Sequence, residues 1–351
     1  MRVCALFPCL LALAPAALAQ STDPAAQGPH LVRRVDLPVR HADGSTSTLR
    51  VLLPTAADRE RPTILLVHGL WVGPGLYDSS AEQIASRGYA VALFDQFSRA
   101  STDLAGWVAA ARGSIDALAR AAADPGSDLF GELDMDRLGA MGHSYGGMTA
   151  IGLAATDPRV KAAVAWAPGA ARRELLLQYA ATMPDVPTLV VTGRFDPIAI
   201  PGTFGRPAYD AIPHRRKLYV QVAMANHATF SDMLSLTGGA PRQAARRYAN
   251  AWFDRWLVGA ADPAGYTDGR YAANDPALSD VDAPGPLPSR GTVTAESLNV
   301  RTGPGTSHAV VGTLARGAEV SILDRRGSWY RVTWSGAQPG ELWVHAAYVR
   351  S

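Results

Sequence analysis

The chain has 351 residues, 48% apolar and 18% charged, enough for one large domain or two modest ones with real hydrophobic cores. Thirty-three basic against 31 acidic side chains leave a net charge of +2, which offers no electrostatic basis for a nucleic-acid or anionic-membrane partner. All the basic residues except Lys161 and Lys217 are arginine, a compositional bias that assigns no function.

Arg2 is followed by an apolar run from Cys4 to Leu18, broken by Pro8 and Pro15 and closed by Ala17-Leu18-Ala19 before Gln20. A membrane span needs about 20 consecutive apolar residues, so a run this short ending in a small-x-small site reads as a signal peptide over 1–19, cleaved between Ala19 and Gln20. The expectation is an exported protein, periplasmic or secreted, with no membrane span. Both cysteines, Cys4 and Cys9, fall in the removed segment, leaving a mature chain without thiol chemistry.

From Leu31 to about Gly259, apolar runs of strand length alternate with amphipathic runs of helix length, as in a sheet covered on both faces. Val32–Val39 and Leu49–Leu53, around the turn His41-Ala42-Asp43-Gly44, predict an antiparallel hairpin. Buried parallel strands follow at 63–67, 89–94, 138–142, 162–166, 188–192 and 218–222, with helices at 79–87, 104–123, 145–156, 172–179 and 241–258 between and after them. The fold class predicted for 20–259 is α/β, a doubly wound, mostly parallel sheet of about eight strands. Residues 260–291, rich in Pro, Gly and Asp without an apolar period, predict a linker. Short alternating segments from 292 to 351 predict a small all-β barrel.

The chemistry centres on Gly142-His143-Ser144-Tyr145-Gly146, placed between a strand and a helix. A serine on so sharp a corner needs neighbours without a Cβ two positions to either side, so that strand and helix can pass closely. The corner lifts the hydroxyl above the carboxyl ends of the strands. A serine hydroxyl needs a base and an orienting carboxylate. Asp196 and His227 follow the next strand ends in the order Ser, acid, His, at spacings of 52 and 31 positions. His214 precedes its strand, His68 lies before the serine and His41 sits in the hairpin, which makes them poorer bases. Asp196 also admits a reading as a helix cap. The backbone amides of Tyr145 and Leu70 are the candidate oxyanion donors, with His68 bracing the turn that carries Leu70. Trp71 and Trp166, and also Tyr145, are placed to line an open substrate site. Only 22 positions separate Trp166 from Thr188, which leaves no room for a large cap and points to short or medium acyl groups.

The runs Leu65-Leu66-Val67-His68-Gly69-Leu70, Tyr77, Ala85–Val91, Gly142–Gly147, Thr192–Pro197 and His227–Asp232 resemble the α/β-hydrolases grouped around dienelactone hydrolase, chlorophyllase and platelet-activating-factor acetylhydrolase, with cutinase-like polyester hydrolases as near neighbours. The resemblance implies hydrolysis of carboxylic esters through an acyl-serine; no cofactor is expected, and no metal, since the sequence has no metal-ligand cluster such as His-Glu-x-x-His. Leu298–Ser307, Gly312-Thr313-Leu314, Gly317, Trp329–Val332 and Trp343-Val344 resemble a bacterial SH3 domain, which implies contact with cell-wall peptides; Trp329, Tyr330 and Trp343 also suit the interior of a small barrel. An amidase or peptidase acting on wall peptides, or a non-catalytic wall-binding protein, are the alternative readings.

Overall fold

The computed structural model describes residues 23–40, 44, 46–55, 60–95, 99–233, 239–284, 290–326, 328–337 and 340–350. The signal peptide expected over 1–19, with Cys4 and Cys9, lies outside them, as do His41, Ala42 and Asp43 of the hairpin turn.

Nine strands form the first sheet: β1 (Val32–Arg40), β2 (Thr46–Pro54), β3 (Arg61–Val67), β4 (Ala90–Phe94), β5 (Leu133–His143), β6 (Val160–Trp166), β7 (Thr188–Gly193), β8 (Lys217–Val222) and β9 (Leu278–Asp282). Their order is β1-β2-β4-β3-β5-β6-β7-β8-β9. The strands from β4 to β8 are parallel to one another, whereas β1, β2 and β9 attach antiparallel. The helices are α1 (Asp78–Ser86), α2 (Leu104–Ala123), α3 (Tyr145–Thr156), α4 (Arg173–Thr182), α5 (Gly205–Ala211) and α6 (Gly239–Phe253).

Alternation along β3 shows why both faces are covered. Leu65 and Val67 enter a core with Trp107 of α2 and Met148 and Ile151 of α3, whereas Ile64 and Leu66 enter a second core with Ile84 of α1 and Trp252 of α6. Burial on both sides accounts for the continuous apolar run Ile64–Val67, while the buried Arg61 and Thr63 nearer the start of the strand are hydrogen-bonded, to the Glu132 and Arg61 carbonyls. The last helix read from the sequence as one element to Val258 changes to a π turn over Asp254–Val258, where Asp254 accepts the Tyr89 hydroxyl at 2.6 Å and an Arg87 nitrogen at 2.9 Å. The short helix α5 was not expected.

The linker reading of 260–291 needs correction. Residues 260–284 fold onto the sheet: Asp262 accepts the amides of Gly265, Tyr266 and Thr267 at 2.7–2.9 Å, Tyr248 donates to Asp275 at 2.8 Å, and β9 pairs with β8. Turns built from Asp and Gly satisfy the backbone locally and look like linker in sequence, and β9 is a short edge strand with Ser279 and Asp280 exposed and no fully buried residue. Of the remainder, 285–289 lie outside the described residues.

A second, wholly antiparallel sheet comprises β10 (Arg290–Val293), β11 (Ser297–Arg301), β12 (Val310–Ala315), β13 (Glu319–Arg326), β14 (Trp329–Thr333), β15 (Trp343–His345) and β16 (Val349–Arg350), in the order β12-β11-β15-β14-β13-β10-β16. Its core joins Val293, Val300, Val320, Tyr330, Val332 and Val344. Tyr330 and Trp343 are buried, whereas Trp329 is half-buried, edge-on to His345 at 5.2 Å, and His345 in turn lies 5.6 Å from exposed Tyr348.

Candidate active site

β5 ends at His143 and α3 begins at Tyr145, so Ser144 makes the whole turn. Its φ of 59° and ψ of −121° lie where an L-residue is strained. Its amide donates to the Trp166 carbonyl at 2.9 Å, and its carbonyl accepts Met148 N–H at 3.2 Å. The space around the corner explains the flanking glycines. A Cβ on Gly142 would collide with the Gly146 carbonyl, and a Cβ on Gly146 with the carbonyl of Val67 at the end of β3. Ser144 is buried apart from a small exposed patch, and its Oγ donates to the Gly169 carbonyl at 3.3 Å.

Asp196 stands in the loop after β7, and His227 opens a 3-10 turn (His227–Phe230) after β8. The two meet: His227 Nδ1 lies 2.7 Å from Asp196 Oδ2, while Asp196 Oδ1 accepts the amides of Ile198 and Ala199, each at 2.8 Å. Asp196 thus both caps its loop and orients the imidazole. The His227 turn is itself fixed. Asn226 and Thr229 cap it reciprocally, Arg242 Nε donates to the Thr229 carbonyl at 3.1 Å, and Asp232 N–H donates to the Leu76 carbonyl at 2.6 Å. Ser144 and His227 are not hydrogen-bonded to each other. They are neighbours through His143, whose ring centroid lies 4.5 Å from that of His227.

The loop after β3 presents three successive amides. Gly69 N–H donates to the Tyr77 hydroxyl at 3.0 Å and Trp71 N–H to the Arg99 carbonyl at 2.8 Å. Leu70 N–H, between them, has no acceptor among the described residues. The same holds for Tyr145 N–H, first in α3 and without an intrahelical partner. A Cβ on Gly69 would lie 3.1 Å from Ser144 Cβ, so the loop runs directly beside the serine. His68 Nδ1 lies 2.7 Å from the Gly69 carbonyl oxygen, on the same peptide unit as Leu70 N–H, and therefore holds that unit's plane. Burial pushes the His68 pKa down to about 4, against smaller opposing effects of the Gly69 carbonyl and Asp95, so the ring is neutral near pH 7.

The two tryptophans part company. Trp71 is 74% exposed at a positive φ beside the loop amides, whereas Trp166 is 1% exposed and packs against Phe230. The expectation that the Trp166 side chain lines the site is thus not met by its placement; its carbonyl, which holds Ser144 N–H, is what faces the corner. The Tyr145 ring is also buried, edge-on to Trp107 at 5.2 Å, with its hydroxyl donating to the Thr102 carbonyl. Phe195, Ile198, Ile200 and Met224 are exposed on the loops after β7 and β8, as Trp71 is on the loop after β3, so all five follow the carboxyl ends of strands. No sequence period marks these residues, because each comes from an irregular loop. Tyr77 and His143 touch the site's supports and carried no role in the sequence reading; nothing local to either announces one.

A serine on a strand-to-helix corner of a mostly parallel sheet, with an Asp–His pair on the following strand ends, defines an α/β hydrolase. The chain belongs to the PET hydrolase-like family, whose family model matches residues 13–277, and a bacterial SH3 domain model matches residues 296–350. Among curated proteins it is 30% identical over 177 residues to Cutinase 2 of Thermobifida cellulosilytica, covering 50% of this chain and 61% of that one. It is equally 30% identical over 177 residues to Cutinase cut1 of Thermobifida fusca, half of each chain. A shorter likeness, 35% over 60 residues, or 17% of this chain and 11% of the other, links it to a putative N-acetylmuramoyl-L-alanine amidase of Bacillus subtilis, YrvJ. The match thus spans about two-fifths to three-fifths of the length of the cutinases. The grouping around dienelactone hydrolase is broader than this family and compatible with it.

Proposed function

We propose that the protein is an exported serine hydrolase of carboxylic esters, acting through an acyl-serine on substrates presented at an apolar surface. One observation supports this reading: the Asp196–His227 pair, with the His227 ring 4.5 Å from that of His143 next to Ser144 in sequence, and the loop of Leu70, like the Tyr145 amide, close to that serine. In the reaction, Ser144 Oγ turns from the Gly169 carbonyl, gives its proton to His227 Nε2 and attacks the ester carbonyl carbon. The electron pair displaced onto the carbonyl oxygen is met by the Leu70 and Tyr145 amides. Collapse expels the alcohol, which takes the proton from His227 and leaves an acyl-serine. Water then gives a proton to His227 and attacks the acyl carbon, and collapse of this second tetrahedral intermediate breaks the bond to Ser144 Oγ, which takes the proton back from His227 as the acid is released. Asp196, bonded at Nδ1, keeps the free nitrogen of His227 toward the serine and stabilises the imidazolium.

Substrate class follows from the surroundings. Between Trp166 and Thr188 the chain forms only α4, so no cap rises over the serine from that segment, and we take the exposed Trp71, Phe195, Ile198, Ile200 and Met224, all on loops after strand ends, as an apolar rim for the site. Such a rim suits an ester held in an apolar surface, a polyester or a lipid, better than a charged solute. The cutinase relatives and the family description favour the polyester. The bacterial SH3 domain supports tethering to wall peptides, for which Trp329, His345 and Tyr348 offer a stacking surface.

The test is direct. Ser144→Ala is expected to abolish turnover of a short nitrophenyl ester and labelling by a fluorophosphonate; undiminished turnover would remove the assignment. Comparing one ester and one amide of the same acyl group separates this reading from an amidase acting on wall peptides, which would cleave the amide at least as well.

A further inference from the structure

Tyr77 closes a 3-10 turn (Pro74–Tyr77) and is 1% exposed, yet its hydroxyl has two polar neighbours, one on each side of the site. The Gly69 amide donates to it at 3.0 Å, and His143 Nδ1 lies 2.9 Å away. A phenol has a single proton. Among the described residues His143 Nδ1 is the one acceptor within reach of that proton, so the hydroxyl donates to it; this places the imidazole proton of His143 on Nε2, which is buried without a hydrogen-bond partner among the described residues. Burial, with a further contribution from the charge of His227, holds the His143 pKa well below the ordinary imidazole value, so this neutral tautomer persists through the working range.

Each partner leads onward to a reacting group. Gly69 begins the peptide unit whose far end is Leu70 N–H, and that unit's carbonyl is held by His68. His143 presents its ring to His227 at 4.5 Å between centroids and to Phe230 at 5.7 Å. The backbone repeats the connection, because Leu76, next to Tyr77, accepts the amide of Asp232 just beyond the His227 turn. The loop bearing one oxyanion donor and the seat of the general base are thus joined at one buried oxygen atom.

We propose that Tyr77 is a positioning residue for the ester cleavage described above, its hydroxyl aligning the Leu70 amide through Gly69 and the His227 ring through His143. The inference rests on the Ser144–His227 reading. Tyr77 touches neither substrate nor reacting atoms. Its value is geometric: an oxyanion donor acts only when aimed at the developing charge, and displacements of the order of 1 Å at a catalytic group cost about 10²-fold. Without the hydroxyl, the buried Gly69 amide and His143 Nδ1 both lose their partner and shift to find others.

Tyr77→Phe keeps the ring and removes the oxygen. With active sites counted by fluorophosphonate titration, its kcat per site on a short nitrophenyl ester is expected to fall about 10- to 100-fold while KM stays within about threefold. Affinity for a boronic acid, whose tetrahedral adduct mimics the oxyanion, should fall in parallel with kcat/KM. A merely structural role would instead lower the number of titratable sites and leave the rate per site unchanged, and that result overturns the inference. Should the Phe variant fail to fold, His143→Asn, which offers the phenol an amide oxygen, is expected to exceed His143→Leu at least tenfold in kcat per site; equal rates overturn it. Ser144→Ala run alongside separates the two levels. If it is inert while Tyr77→Phe turns over at the full rate per site, only the Tyr77 inference fails; if Ser144→Ala remains active, both fail.

Discussion

His227 Nδ1 lies 2.7 Å from Asp196 Oδ2, and the other oxygen of the same carboxylate is occupied by two backbone amides, so Asp196 is held by its loop before it holds the imidazole. Asn at this position would keep an oxygen for those amides but turn an NH2 toward Nδ1, forcing the wrong tautomer. Asp196→Asn is therefore expected to fold normally and to lose about 10³- to 10⁴-fold in kcat. Near-normal turnover with an unchanged melting temperature would show that the carboxylate is only a cap.

At the corner itself, steric cost dominates. A methyl on Gly146 has to displace the Val67 carbonyl of a central strand, which cannot yield without moving β3. Gly146→Ala is expected to destabilise the protein by about 3 kcal/mol or more, in line with overpacking of a rigid core, and to be recovered largely as aggregate. Urea unfolding of whatever soluble fraction remains checks it.

Acid should weaken the fold through His68. Its pKa is about 4 in the folded protein against an ordinary 6.5, because burial disfavours the cation. The unfolded chain therefore binds a proton that the folded chain refuses across that window. Stability fully present above about pH 6.5 declines as the pH falls toward 4, by about 3 kcal/mol from this residue alone. His143, shifted in the same direction, adds to the decline. Urea midpoints at pH 7 and pH 4.5 measure it, and His68→Gln should flatten the slope; an unaltered slope would contradict the assignment.

The apolar rim predicts a difference between dissolved and surface-bound substrate. Trp71→Ala removes the most exposed ring of the rim without touching the Asp–His pair, so adsorption to a polyester film should drop several-fold more than kcat/KM on a soluble ester. Equal losses on both would place Trp71 in the binding of the single ester group.

Truncation locates the boundary of the hydrolase. A chain ending at Pro284 keeps β9 and the Tyr248–Asp275 hydrogen bond and should hydrolyse soluble ester, having lost retention on wall material. One ending at Gly259 strips the edge strand and exposes the side of β8, and is expected to be insoluble.

Much of this was legible in the order of residues. Where a parallel strand is covered on both faces it is mostly apolar, so the central runs of β3 through β8 announce themselves. The corner serine announces itself too, because only residues without a Cβ fit beside it. Asp196 and His227 were found by their place after strand ends, since chain order in a wound sheet sets which loops share an edge. What the tertiary structure alone decided concerns contacts between distant loops. β9 became a strand because β8 offered it an edge, not because of its own sequence. Trp166, the last residue of β6, turned into the core whereas Trp71, on the loop after β3, turned out, although both lie near the carboxyl end of a strand and have the same side chain. Tyr77 met His143 across 66 positions, and no local pattern encodes a hydrogen bond whose partners approach only when two separate loops are packed. Periodicity records which face of an element is buried; it carries no record of what lies on the other side of the interface.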